Sequence, residues 1–82
     1  MLRVTSVQAL SKCRLMVEME DGRRGVFDMR PYLSSAFFRE LEDEAYFGRV
    51  GLFFEGIGWP NGQDIGPDTI AAELQTVADA AA

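Results

Sequence analysis

The chain has 82 residues, 48% of them apolar and 26% charged, which is enough for one small folded domain and too apolar for a disordered segment. A net charge of −5 disfavours direct contact with a phosphate backbone. The absence of histidine excludes Ser-His-Asp and Cys-His catalysis and removes the commonest zinc ligand. A single cysteine, Cys13, forms no internal disulfide, and with no signal-peptide pattern and no long apolar run the expected setting is a reducing cytoplasm with no membrane contact.

Residues 2–10 read as a first strand. Val4 and Val7 lie three apart, so a bulge is expected if both face the core. Residues 13–20 are the clearest strand: Leu15, Val17 and Met19 alternate with Arg14, Glu18 and Glu20, while Met16 falls on the polar side. Asp21-Gly22 predicts a hairpin with both turn residues at positive φ, and residues 23–28 return as the partner strand. Val26 beside Met16 marks an apolar spot on the open sheet face.

Pro31 opens a short helical segment. Ser35 is expected to cap a second over residues 36–41, and Asp43 a one-turn helix closed by Gly48. Leu33, Phe37, Leu41 and Phe47 are the expected core-facing residues here. Residues 50–54 and 57–59 form a second strand pair about a Glu55-Gly56 turn. The last element is a helix over residues 66–78, with Gly66 at the cap, Pro67 in its first position and Asp68 favourable to its dipole. Ile65 and Ile70 occupy staple positions, and Ile70, Leu74, Val77 and Ala78 form its apolar stripe. Ala80–Ala82 are expected to fray. The fold class is therefore α+β: an N-terminal antiparallel meander of about three strands, short helices, a second short strand pair and a C-terminal helix packed on the sheet. Residues 1–82 make one domain.

Charge is divided along the chain. Residues 1–41 carry net +2, whereas residues 42–82 carry net −7, with Arg49 the only cation among eight carboxylates. This permits opposite halves to attract within one fold, or a bipolar surface that pairs with a basic partner. The consecutive acids Glu42-Asp43-Glu44 point in different directions and suit capping better than metal binding.

The candidate surface site is the segment from Trp59 to Asp68. It holds the only tryptophan, two of the three prolines and two aspartates. Trp59, Asn61, Asp64 and Asp68 are the candidate binding residues. Each has a competing structural role: Trp59 as core, Asp64 bonding the backbone of its own turn, Asp68 serving the helix N-terminus. No catalytic residue, metal ligand or cofactor is assigned.

The order of these pieces resembles a bacterial family, domain of unknown function 2442. The resemblance rests on Asp21-Gly22, Pro31 with Leu33, Phe38 with Leu41, Asp43 with Phe47, and above all Ile57, Trp59, Gly62, Asp64, Pro67 and Asp68. It implies a small α+β fold with no established catalytic activity. Some relatives carry an added helix-turn-helix domain, an extension expected to be missing here because the chain stops after its last helix. Others look like one half of a two-gene module resembling toxin–antitoxin pairs. The expected function is a non-enzymatic interaction module for a protein partner or a homo-oligomer, antitoxin-like in the version the resemblance implies. The alternatives are a nucleic-acid-associated regulator using Arg14, Arg23 and Arg24 around the first hairpin, and a metal-assisted enzyme using Asp64 and Asp68.

Overall fold

The computed structural model describes residues 2–77. The meander forms as its alternation requires: β1 (Val4–Leu10), β2 (Arg14–Met19) and β3 (Arg24–Asp28) pair antiparallel in sequence order. Leu15, Val17 and Met19 on one face of β2 are buried, and Phe27 opposite Leu15 joins them. The irregularity expected near Val4 is present, as a register shift between Val4 and Ser6. Met16 stands opposite Val26 on the other face, both partly exposed.

The turns depart from expectation in detail. In the Met19–Arg23 turn only Gly22 has positive φ, at 95°, and its amide bonds the Met19 carbonyl at 3.0 Å. The connection is a three-residue loop with a left-handed glycine at its end rather than a two-residue type I′ turn. Between β1 and β2 the left-handed conformations fall on Lys12 (φ 61°) and Cys13 (φ 55°), with no glycine to signal them.

After β3 the chain makes two 3-10 turns, Arg30–Tyr32 and Phe38–Glu42, and then α1 (Glu44–Phe47). Asp43 caps α1 as expected, its Oδ1 accepting from the Ala45 and Tyr46 amides, and Gly48 closes it. Ser35 is not a side-chain cap; its carbonyl accepts from the Arg39 amide instead. The tighter 3-10 winding also shifts the register by one residue. Phe38 packs against the core three positions before buried Leu41, and Phe37 is left 53% exposed.

A second sheet follows in the order β4 (Gly51–Phe53), β5 (Gly56–Gly58), β6 (Asp64–Ile65). It is joined to the meander where the Val4 amide bonds the Glu55 carbonyl at 2.8 Å. Ile57, Trp59 and Ile65 complete one core with the meander residues, Leu41, Phe47 and Ile70.

The C-terminal helix is shorter than its apolar stripe suggests. α2 spans Pro67–Glu73, with Gly66 at the cap and the staple residues Ile65 and Ile70 both buried. Leu74 then turns extended, and Gln75–Thr76 form β7, which pairs antiparallel with β3. Gly25 permits this, since a Cβ there would overlap the Gln75 carbonyl oxygen. Leu74 packs against the core, but Val77 is 45% exposed. Ala78 and the alanines beyond it lie outside the described residues.

One bond ties α2 to the first 3-10 turn: the Tyr32 hydroxyl donates to Glu73 Oε1 at 2.7 Å. That bond and burial push the Tyr32 pKa up to about 12. Because the folded value exceeds the ordinary 10, the stabilisation is complete below pH 10 and is lost as pH rises through 12. Ultraviolet titration of the folded protein should show a tyrosine ionising near pH 12, and the Tyr32→Phe variant should lack that step.

Candidate functional site

The first five residues of the Trp59–Asp68 segment form a compact turn between β5 and β6. The Gly62 amide bonds the Trp59 carbonyl at 3.1 Å, and the Trp59 amide bonds the Gln63 carbonyl at 2.9 Å. Gly62 takes φ 103°, the conformation that the Asn-Gly step was suited to supply.

Trp59 lies beneath this turn and is 5% exposed. Its Nε1 donates to the Phe47 carbonyl at 2.9 Å, and its ring stacks on Phe47 with centroids 5.7 Å apart. Its only polar atom and most of its surface are therefore engaged within the fold, so the indole is not reachable from the turn tip. Asn61 is exposed and pinned twice: its amide donates to the Tyr46 hydroxyl at 2.8 Å and its Nδ2 to Glu40 Oε2 at 2.7 Å. Asp64 does not bond the backbone of its own turn. It is exposed on β6, and Asp68 is exposed in the first turn of α2; neither side chain makes a hydrogen bond among the described residues. No group of three or more Cys, Asp or Glu side chains among the described residues is placed to hold a metal ion.

The residue at the centre of this region is one that sequence reasoning passed over. Gln63 is 1% exposed, the one buried polar side chain of the described core. Its Oε1 accepts from the Tyr46 hydroxyl at 2.7 Å, and its Nε2 donates to the Phe37 carbonyl at 3.0 Å and to Glu40 Oε1 at 2.9 Å. All four side-chain groups of this cluster are partnered, as burial demands. Gln63 thereby fastens the turn to the 3-10 segment and to α1. A glutamine in a Pro-Asn-Gly turn carries no sequence signal of burial, because its three partners come from positions 17 to 26 residues away.

Glu40 feels the same cluster. The amides of Asn61 and then Gln63 hold its pKa below the ordinary 4.5. Arg23 and Arg30 similarly lower Asp21 and Asp28. For all three the folded value is depressed, so the stabilisation is complete above pH 4.5 and is lost as pH falls through the lowered values. Acid titration followed by circular dichroism should show stability falling below about pH 4.5, with a shallower fall in Glu40→Gln.

Cys13 sits where β2 begins and its Sγ donates to the Leu41 carbonyl at 3.4 Å. Burial first, then Glu42 and Asp28, raise its pKa, so the thiolate is disfavoured and the residue is a packing group.

The model of the family described as "Protein of unknown function (DUF2442)" matches residues 4–76. The chain belongs to the DUF2442 family. Its match runs from the first residue of β1 to the last of β7, so the family's pattern includes both sheets and the turn between β5 and β6. Comparison with curated proteins and with solved structures gives no match. The segment from Ile57 to Asp68 lies inside that match, and through Trp59 and Gln63 it is bonded to α1 and to the second 3-10 turn.

A different surface stands out once that segment is accounted for. Leu52, Phe53 and Phe54 at the β4–β5 hairpin are 54%, 47% and 89% exposed. Phe54 has φ 52°, a left-handed conformation costing a non-glycine residue about 1–2 kcal/mol. Its ring meets that of Phe53 edge-on at 4.6 Å.

Proposed function

We propose that this DUF2442 protein is a protein-interaction module whose contact surface is the β4–β5 hairpin. The observation that carries the reading is Phe54, held at positive φ and 89% exposed against the half-exposed ring of Phe53. Its positive φ belongs to the two-residue Phe54-Glu55 turn that joins β4 to β5, but a phenylalanine ring at a position where glycine or asparagine is free of strain does not serve the fold, and such residues concentrate at functional positions. Contiguous exposed apolar groups mark contact sites in soluble proteins. The family resemblance supports a specific version, an antitoxin-like partner for the product of an adjacent gene. The alternative based on Arg14, Arg23 and Arg24 has less to draw on: Arg23 is bound to Asp21 at 2.9 Å and to the Ala71 carbonyl, and Arg14 to the Ser11 carbonyl at 3.1 Å.

The test is co-expression with the adjacent gene's product, followed by light-scattering mass measurement of wild type and Phe54→Asn. Asparagine tolerates the left-handed region, and relief of strain offsets loss of an aromatic contact worth about 0.5–1.5 kcal/mol. Stability should therefore change by less than about 0.5 kcal/mol while complex formation is lost. Absence of a wild-type complex, or its full retention in Phe54→Asn, would count against the reading.

A further inference from the structure

The register of the small sheet decides what surrounds the hairpin. Leu52, Ile57 and Ile65 are paired across the three strands, and the last two are buried, so this row faces the core. The alternate row is Gly51, Gly58 and Asp64. Phe53 lies on the same outer face and its ring rests on Gly58: a Cβ there would sit 3.0 Å from Phe53 Cβ and 3.1 Å from Cγ. The outer face thus presents one phenyl ring covering Gly58, a second from Phe54 against it, and the Asp64 carboxylate. Glu55 follows Phe54 in the loop. Neither Asp64 nor Glu55 makes an ion pair among the described residues.

We propose that this outer face docks a segment of a partner protein that carries arginine or lysine among apolar residues. The inference rests on the interaction-module reading and names the chemistry of its partner. Two properties select a basic partner over a second copy of the chain. The Phe53 and Phe54 side chains with these exposures offer on the order of 250 Å² of surface, well below the ~800 Å² per partner of a standard interface. A self-contact here would also bring together two halves of net −7 each. A cationic segment avoids both difficulties. A guanidinium stacks on an exposed phenyl ring while pairing with a neighbouring carboxylate, and the acidic half of the chain attracts it from a distance.

The probe is a capped peptide of alternating Arg and Leu, titrated into the ¹⁵N-labelled full chain with amide shifts recorded. A Gln-Leu peptide and a Glu-Leu peptide of the same length are the comparison arms. The expected result is saturable shifts centred on residues 51–58 and 64 with the cationic peptide alone. Affinity should be weakened at least about tenfold by Phe53→Ser/Phe54→Asn and several-fold by Asp64→Asn or by 0.5 M salt. Amide spectra of the variants without peptide establish that they remain folded. Shifts centred on Glu42–Glu44, or affinity unchanged in the Phe53/Phe54 variant, overturn the proposal. Equal binding of the Gln-Leu peptide at the hairpin, or a concentration-dependent dimer lost in Phe54→Asn, overturns the basic partner while leaving the hairpin as an interaction surface. Failure of all three peptides to shift the hairpin overturns the basic partner too, and in that case the adjacent-gene complex decides separately whether the hairpin binds protein.

Discussion

Gly56→Ala should cost the protein about 3 kcal/mol or more. Gly56 lies at the start of β5, opposite Phe53, and it is buried. A Cβ added there would overlap the Ile65 carbonyl oxygen and approach Gly66 Cα at 3.0 Å. Both neighbours are backbone, so no side chain can rotate away. Relief requires β6 and the N-terminus of α2 to move off β5, which exposes Ile57, Ile65 and Ile70 together. A domain of this size has only about 4–12 kcal/mol of stability, and about 3 kcal/mol corresponds to a fall of roughly 12–24 °C in Tm. Gly51→Ala is the matched control. It sits in the same small sheet with nothing within 4 Å of its added Cβ, and should change stability by less than about 0.5 kcal/mol. Equal thermal shifts for the two variants would show that the close approach of Gly56 to Ile65 does not constrain the fold.

Gln63→Leu should cost about 2–4 kcal/mol, although leucine fits the site in size and polarity would be the only large change. The loss has three parts. The Phe37 carbonyl and the Tyr46 hydroxyl each lose a partner at a half-buried position, and Glu40 loses one of its two amide donors. Asn61 still holds Glu40 and Tyr46, so the cost stays below that of three separate buried vacancies. Gln63→Glu sharpens the test. It keeps the acceptor for Tyr46 but sets an acceptor oxygen against Glu40 Oε1 and the Phe37 carbonyl. That carboxyl is driven to stay protonated, so its folded pKa lies above its unfolded one. Its stability is retained at low pH and is lost as pH rises through the folded value. Urea unfolding of Gln63→Glu should thus show greater stability near pH 5 than near pH 8. A wild-type-like pH profile in that variant would mean the glutamine amide is not aimed at Glu40.

What was legible in the sequence was local. The β2 alternation, the Asp43 cap and the Ile65–Ile70 staple each depend on residues within a few positions of one another, and each formed as expected. The misread features depend on contacts across the chain. Ile70, Leu74 and Val77 satisfy a helical stripe, yet Gly25, some 50 residues earlier, offers β3 as a partner and the chain leaves the helix at Leu74 to take it. Phe37 and Phe38 fit either register by pattern, and only the 3-10 winding from Phe38 decides which is buried. Positive φ at Lys12, Cys13 and Phe54 has no glycine or asparagine to announce it.

The expected site residues have mostly structural roles. Trp59, Asn61, Asp64 and Asp68 all lie in the segment from Trp59 to Asp68, but the first two are committed to Phe47, Tyr46 and Glu40. The exposed aromatics lie one strand earlier, where an aromatic-rich run reads as core because hydrophobic pattern does not distinguish a buried strand from an exposed hairpin. Asp64 belongs to both descriptions, since it is one of the expected site residues and pairs with Gly58, on which Phe53 rests.

Hydrogen–deuterium exchange of the chain, alone and with the adjacent gene's product, tests the interaction account most directly. The account predicts added protection in residues 51–58 and at Asp64, with the amides of Trp59, Asn61 and Gly62 unchanged because they are already bonded in the free protein. Protection confined to residues 59–63, or no protection anywhere, would contradict it.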